Sequence, residues 1–370
     1  MVDLKKQYLR IKNEIDAAID GVVVSGSYIQ GSAVKSFEKN LAKFTGSKHI
    51  IGCANGTDAL LAALMSCDVK SGDEVITTPF TFVSTVEVIV LLGAKPIFVD
   101  VCKDTFNIDS KLLEEKITEK TKAIIPVHLF GQCADMEEIL RIAKKHNIKL
   151  IEDACQALGS VYTFSDGSSK QAGVMGDIGC TSFFPTKNLG CFGDGGAIMV
   201  QDDELAEKLR MICCHGSKEK YNHEIIGLNS RLDTLQAAIL DVKLKYLNEY
   251  IAHRQKAADF YYNLLNNIKW LQLPVVFPKS THTYHQFTIK IDSSMREDFQ
   301  IHLRKKGIPT MIYYPIPLHL QNGYSFLNND ELNVPISEQL CKEVVSLPMH
   351  TELTQEQLQY ICQTIVNSQL

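Results

Sequence analysis

Residues 123–156 read AIIPVHLFGQCADMEEILRIAKKHNIKLIEDACQ. Two apolar runs, Ala123–Leu129 and Leu150–Asp153, bracket an amphipathic stretch at Asp135–Lys145 that opens on acidic residues, as the positive end of a helix dipole favours. Strand, helix, strand is the reading. Both strands are nearly continuous in apolar residues, which fits strands covered on both faces of a mostly parallel sheet. The alternation continues outward in both directions. Further strands are predicted at Glu74–Thr78, Pro96–Val101, Thr181–Phe184 and Ala197–Gln201, and helices at Asp58–Met65, Phe82–Leu92 and Asp109–Ile117. Strands alternating with helices predict an α/β fold.

The pattern changes past residue 230. Leu232, Leu235, Ile239, Val242, Leu247 and Ile251 recur at helical steps and predict one long linking helix. Beyond it lie proline-rich turns, a strand-like HQFTIKI at His285–Ile291, a helix near Arg296–Lys306 and a last helix at Thr354–Val366. The expected organisation is a large domain over 1–248 and a smaller α+β domain over 249–370. At the start, Leu4, Ile11, Ile15 and Ile19 predict one amphipathic helix facing a core.

Composition narrows the class. The 370 residues are 45% hydrophobic and 22% charged, near the globular average. The net charge of −5 lacks the clustered basic residues that nucleic acid binding requires. No stretch approaches the ~20 apolar residues that span a bilayer, and the first residues form no apolar signal core. A cytoplasmic protein with no membrane or nucleic-acid partner is the expectation. The eleven cysteines form no C-x-x-C pair and read as small buried hydrophobes, with neither a disulfide framework nor a metal site.

Three segments carry chemistry. In Cys53–Leu60 (CANGTDAL) a polar turn with glycine feeds a helix, whose free N–H groups and the Thr57 hydroxyl suit an anion; the same residues make an ordinary N-cap. In Leu150–Gln156 (LIEDACQ) a strand ends in Asp153, with Gln156 three residues on, where ligands collect at the C-terminal edge of a parallel sheet; a strand-end carboxylate capping a helix reads equally well. In Ser182–Gly190 (SFFPTKNLG) Lys187 follows a strand on a tight turn among small and apolar residues, a setting that lowers an amine's pKa and makes it nucleophilic; an exposed lysine is more commonly a solvated surface group. Together the three form the set that pyridoxal phosphate requires: donors for the phosphate, a carboxylate for the ring nitrogen and a lysine for the aldehyde.

Those segments lie within a longer series: GSYIQG at Gly26–Gly31, FEKNLAKFTGSKHIIGCANGTDAL from Phe37, GDEVITTPFTFVSTVEVI, PVHLFGQCADM, IEDACQALGS, TSFFPTKNLGCFGDGGAI, GLNSRLDTLQAAIL, YYPIPLH at Tyr313–His319 and SLPMH at Ser346–His350. The series resembles, along essentially the whole chain, the DegT/DnrJ/EryC1/StrS family of sugar-nucleotide aminotransferases. The resemblance implies an aspartate-aminotransferase-like fold (type I), with a mostly parallel seven-stranded sheet in the large domain, and a homodimer with shared active sites. It implies Lys187 as Schiff-base lysine and proton shuttle, Asp153 at the pyridinium nitrogen and Gln156 at the ring hydroxyl. Gly56, Thr57 and Ser182 would hold the phosphate, Phe82 would stack on the ring, and Asn229 would reach the neighbouring subunit's phosphate. Arg231, Tyr314 and His319 would touch the sugar nucleotide.

The implied reaction moves the amino group of L-glutamate to the ketone of a nucleotide-linked keto-sugar. Phe184 stands where many members have His, and the SFFP-x-K form looks more like the branch acting on 3-keto sugars. Within it, the sequence is most similar to UDP-2-acetamido-2-deoxy-3-oxo-glucuronate aminotransferases of surface-polysaccharide pathways. Arg231 would then serve the hexuronate carboxylate, or else pair structurally with Asp233 or another carboxylate. A dTDP-3-keto-6-deoxyhexose or a 4-keto-sugar is the alternative substrate. Dehydratases of the same family lack the lysine that Lys187 supplies, and regulators of this kind usually carry a fused DNA-binding domain.

Overall fold

The computed structural model describes residues 1–219, 221–327 and 332–368. Its strands before residue 201 are β1 (His49–Cys53), β2 (Glu74–Thr77), β3 (Lys95–Phe98), β4 (Thr121–Ile124), β5 (Lys149–Asp153), a side hairpin of β6 (Val161–Thr163) and β7 (Ser169–Gln171), then β8 (Ile178–Ser182) and β9 (Gly196–Val200). Seven of them form one sheet in the order β1-β9-β8-β5-β4-β2-β3. β8, β5, β4, β2 and β3 pair in parallel, and β9 runs antiparallel to both β8 and β1. The sheet is therefore the mostly parallel, seven-stranded one expected.

Helices cover both faces. They are α1 (Leu4–Arg10), α2 (Lys12–Ser25), α3 (Ser32–Thr45), α4 (Gly56–Ser66), α5 (Ser84–Leu91), α6 (Met136–His146), α7 (Asp203–Cys213), α8 (Thr234–Leu244) and α9 (Leu247–Leu265). Period-two alternation sends neighbouring strand residues to opposite cores. Ile50 and Leu150 join α3, α6 and α8, whereas Ile51 and Ile151 join α4, α5 and α7. A small hairpin, β10 (Ser217–Glu219) and β11 (Asn222–His223), precedes α8. The C-terminal part holds an antiparallel sheet of β12 (Leu271–Gln272), β13 (Phe287–Ile291) and β14 (Val344–Leu347), with α10 (Arg296–Lys305), α11 (Pro335–Glu343) and α12 (Gln355–Val366). Tyr261, Phe299 and Ile361 bring α9, α10 and α12 onto that sheet. Among the described residues no helix is long and apolar enough to cross a membrane.

Three expected helices differ from what forms. The N-terminal one breaks at Ile11, which leaves helical geometry and tucks with Ile15 against Ile239 and Val242 of α8, while Leu4 stays 39% exposed. Asp109–Ile117 makes two 3₁₀ turns, Ser110–Leu112 and Glu114–Lys116, around the wholly buried Leu113; so short a segment cannot sustain an α-helix against that anchor. The single helix predicted over Leu232–Ile251 breaks at Lys245-Tyr246 into α8 and α9, because α8 packs on the large sheet and α9 continues to the small one. The expected division at 248/249 falls just inside α9.

One buried carboxylate ties the centre of the large sheet together. Glu152, with no exposed surface, accepts from the N–H groups of Met175 and Gly176 at 2.6 Å each and of Gly173 at 2.8 Å. His128 Nε2 lies 2.8 Å away. His128 Nδ1 accepts from the Ala134 N–H at 3.2 Å, so the ring proton sits on Nε2 and donates to Glu152. Glu152→Leu would strand four donors, each costing about 1–3 kcal/mol when buried unpaired. Chemical denaturation of this variant should show at least about 3 kcal/mol of lost stability; a loss under about 1 kcal/mol would mean the four donors find other acceptors.

Candidate active site

The C-terminal edge of the parallel strands opens into a cleft of about 610 Å³. One wall is the start of α4. Its N-cap is Asn55, whose side chain accepts from the Asp58 N–H at 2.8 Å. The N–H groups of Gly56 and Thr57, the first two of the helix, have no acceptor within it and face the cleft's anion-favouring end. Gly56 presses against the end of β8, where a Cβ would stand 2.7 Å from the Ser182 Cβ, so only glycine fits. Hydroxyls gather beside it: Thr57 Oγ1 and Ser84 Oγ are 2.6 Å apart, and Ser182 lines the same end.

Asp153 ends β5 on the α4–α5 face, opposite to Glu152. Its Oδ2 accepts from Thr85 Oγ1 at 2.8 Å and its Oδ1 from the Cys155 N–H at 3.2 Å. Gln156 is held at both ends of its amide: Oε1 accepts from the Phe130 N–H at 2.9 Å, and Nε2 donates to the Tyr314 hydroxyl at 3.1 Å. The Tyr314 ring lies 6.2 Å from that of Phe82, which is 53% exposed over the opening. Burial pushes the Tyr314 phenol up, so it stays protonated.

Lys187 follows β8 on a self-closed turn. Its N–H donates to the Phe184 carbonyl at 2.8 Å, and the Cys191 N–H returns to the Phe183 carbonyl at 2.8 Å. Burial pushes its amine below the ordinary lysine range, against the pull of Cys155 and Asp153. Among the described residues no side chain bonds its Nζ. A desolvated, unbonded amine beside a carboxylate is equipped as a nucleophile and as a base.

The fold thus brings Gly56, Thr57, Phe82, Asp153, Gln156, Ser182, Lys187 and Tyr314 to one cleft. Three other candidates lie elsewhere in the chain. Asn229 is on the surface before α8, paired through its backbone with Cys214. Arg231 lines a separate cleft of about 320 Å³ with Gln30, Lys35 and Arg210, and no carboxylate among the described residues pairs with it. His319 is buried, with Nε2 3.2 Å from Glu338 and its ring 6.3 Å from Phe98. The sequence reading passed over Ser84 and Thr85, whose hydroxyls stand one turn after Phe82 in the same quoted segment. It also passed over His285, which lines the cleft with Nδ1 buried and unpartnered and its pKa driven far down by burial. His285 reaches the cleft only because β13 folds back on the large domain, and the local sequence carries no sign of that.

The donor set fits pyridoxal phosphate: a glycine-lined helix start with three hydroxyls, a doubly held carboxylate, and a free desolvated lysine. Comparisons with known proteins agree. The family model described as the DegT/DnrJ/EryC1/StrS aminotransferase family matches residues 9–366. A pleiotropic regulatory protein of Geobacillus stearothermophilus is 48% identical over 369 residues, 99% of this chain and 97% of that one. A UDP-2-acetamido-2-deoxy-3-oxo-D-glucuronate aminotransferase of Pseudomonas aeruginosa is 46% identical over 366 residues, 99% of both chains. The crystal structure of NtdA from Bacillus subtilis, with bound cofactor PMP, superimposes with a TM-score of 0.88 at 32% identity, over 96% of this chain and 81% of that one. Matched over nearly its whole length, the chain belongs to the DegT/DnrJ/EryC1/StrS aminotransferase family and is a pyridoxal-phosphate-dependent aminotransferase.

Proposed function

We propose that this enzyme transfers the amino group of L-glutamate to C3 of UDP-2-acetamido-2-deoxy-3-oxo-glucuronate, as a cytoplasmic homodimer serving surface-polysaccharide synthesis. The observation that carries the reading is the meeting of Lys187, Asp153 and the start of α4 in one cleft; the 46% identity to the P. aeruginosa aminotransferase supports the sugar.

Pyridoxal phosphate, when bound, supplies an aldehyde carbon that takes up the amino group and a ring that draws electrons from that carbon. Gly56 and Thr57 would hold the phosphate through their N–H groups, with the hydroxyls of Thr57 and Ser182 beside them. Asp153, held by Thr85 and Cys155, would keep a proton on the ring nitrogen by charge attraction. Gln156, fixed by Phe130 and Tyr314, would serve the ring hydroxyl, and Phe82, exposed at the opening, would pack on the ring. Lys187 Nζ would take a proton as base and return it as acid, burial having weakened the amine's hold on the proton. Asn229, exposed, and Arg231, half-buried in a separate cleft, do not line their own cleft and serve the partner subunit's.

Reduction with borohydride followed by peptide mapping should attach the cofactor to Lys187, and Lys187→Ala should remove the label. Label on another lysine overturns the assignment. If Arg231 reads a C6 carboxylate, Arg231→Ala should lower kcat/KM for the 3-keto-uronate about 10²-fold more than for its C6-hydroxyl analogue, because an unpaired carboxylate is costly to bury. A panel including a dTDP-linked 3-keto-6-deoxyhexose and a 4-keto-sugar tests the substrate directly; preference for either displaces the uronate.

Mixing subunits tests the shared site. Lys187→Ala and a disabling substitution at Asn229 should each inactivate the homodimer. In a heterodimer both defects fall in one site and the other site is intact. Equal mixing should therefore restore roughly a quarter of wild-type sites. Subunit exchange with no recovery would place Asn229 outside the partner's site.

A further inference from the structure

α8 buries a lysine that the reaction does not use. Lys243 is 2% exposed on a helix face it shares with Ala237, Leu240 and Leu244. Its Nζ donates to the Gly190 carbonyl and lies 5.6 Å from the centre of the Phe192 ring. Among the described residues no carboxylate pairs with it. The Cys191 thiol faces it and pulls its pKa upward, but burial dominates and pushes the ammonium down to about 8. A buried cation without a counter-ion costs stability, and an apolar side chain of similar length would pack there at less cost.

What the ammonium holds is specific. Gly190 closes the turn that carries Lys187, and the turn is tight there: a Cβ on Gly190 would stand 2.4 Å from the Pro185 carbonyl oxygen. The next residue, Cys191, is bound back to Phe183 both through its N–H at 2.8 Å and through its thiol at 3.0 Å. The turn is thus closed upon itself, and the Gly190 carbonyl is where a separate element, α8, takes hold of it.

We propose that Lys243 is a positioning residue for the Lys187 turn: its ammonium holds the Gly190 carbonyl and thereby sets where Lys187 Nζ stands relative to Asp153. The inference rests on the role given to Lys187 under Proposed function. Its test compares wild type, Lys243→Met and Lys243→Gln. Met removes the charge and the donor at similar length; Gln restores a donor without the charge.

Three readouts separate positioning from simple support: thermal unfolding of the cofactor-free proteins, the rate at which borohydride attaches pyridoxal phosphate to Lys187 by peptide mapping, and kcat against KM with the keto-sugar nucleotide. Lys243→Met should melt no lower than wild type. It should label at Lys187 about tenfold more slowly and lose roughly 10- to 10²-fold in kcat, as small misplacements of a reacting group do. KM should stay within about twofold, since substrate binding is untouched. Lys243→Gln should recover part of the labelling rate. Unchanged labelling and kcat in Lys243→Met, with normal wild-type labelling, overturns this inference alone. So does a melting temperature that falls together with every kinetic parameter, which would make Lys243 a structural residue. Wild-type protein labelled elsewhere than Lys187 fails the proposed role of Lys187, and this inference with it.

Discussion

Nothing larger than hydrogen fits where the first residue of α4 meets the end of β8. Gly56 is packed so closely on Ser182 that a methyl group would have to push the helix off the sheet. The register of the sheet enforces the approach: Gly196 of β9 stands between Cys53 of β1 and Ser182 of β8, bonded to both strands. Because these three strands stay in step, a helix N-terminus, a strand end and the Lys187 turn converge at one edge of the sheet. An anion-holding helix start and a nucleophilic lysine separated by 130 residues of chain become parts of one cleft.

Two consecutive carboxylates on β5 show how the strand divides labour. Glu152 points into the core of α3, α6 and α8 and is saturated by four donors, so it is structural. Asp153 points the other way, toward the cleft, with two donors and one open side. The alternation of a strand sends one charge to a fully paired site and its neighbour to a partly paired one. The pairing also serves position: the His128 N–H donates to the Asp153 carbonyl at 3.0 Å, and the Asp153 N–H to the Pro126 carbonyl at 3.0 Å. The same His128 that anchors Glu152 therefore fixes the backbone from which Asp153 projects.

Two lysines, 187 and 243, share a physical predicament, an amine in a poorly solvated place. Desolvation lowers both pKa values. They differ in what faces them. Lys187 looks at a carboxylate and an open cleft, with a free Nζ, whereas Lys243 is spent on a backbone carbonyl and an aromatic ring. One amine is kept reactive, and the other is tied down where the first one's turn closes.

Much was legible in the sequence because it is local. Strand–helix alternation over residues 123–156, the CANGTDAL helix start, the strand-end Asp153 and the lysine of SFFPTK each depend on neighbours in sequence, and period and capping chemistry reveal them. Helix continuity was less legible: Ile11 and Lys245-Tyr246 break helices because the flanking segments pack on different surfaces, a choice that no local pattern records. Least legible were contacts between distant segments. Thr85 on Asp153, Tyr314 on Gln156, His285 in the cleft and Lys243 on Gly190 join residues 53 to 158 apart in most cases. Sequence by itself determined which segments can carry a phosphate, a proton and an amine. Only the tertiary structure decided which of them meet, because side-chain contact depends on how the sheet's register and the fold-back of the C-terminal part bring remote elements together, and neither is encoded in any one stretch of chain.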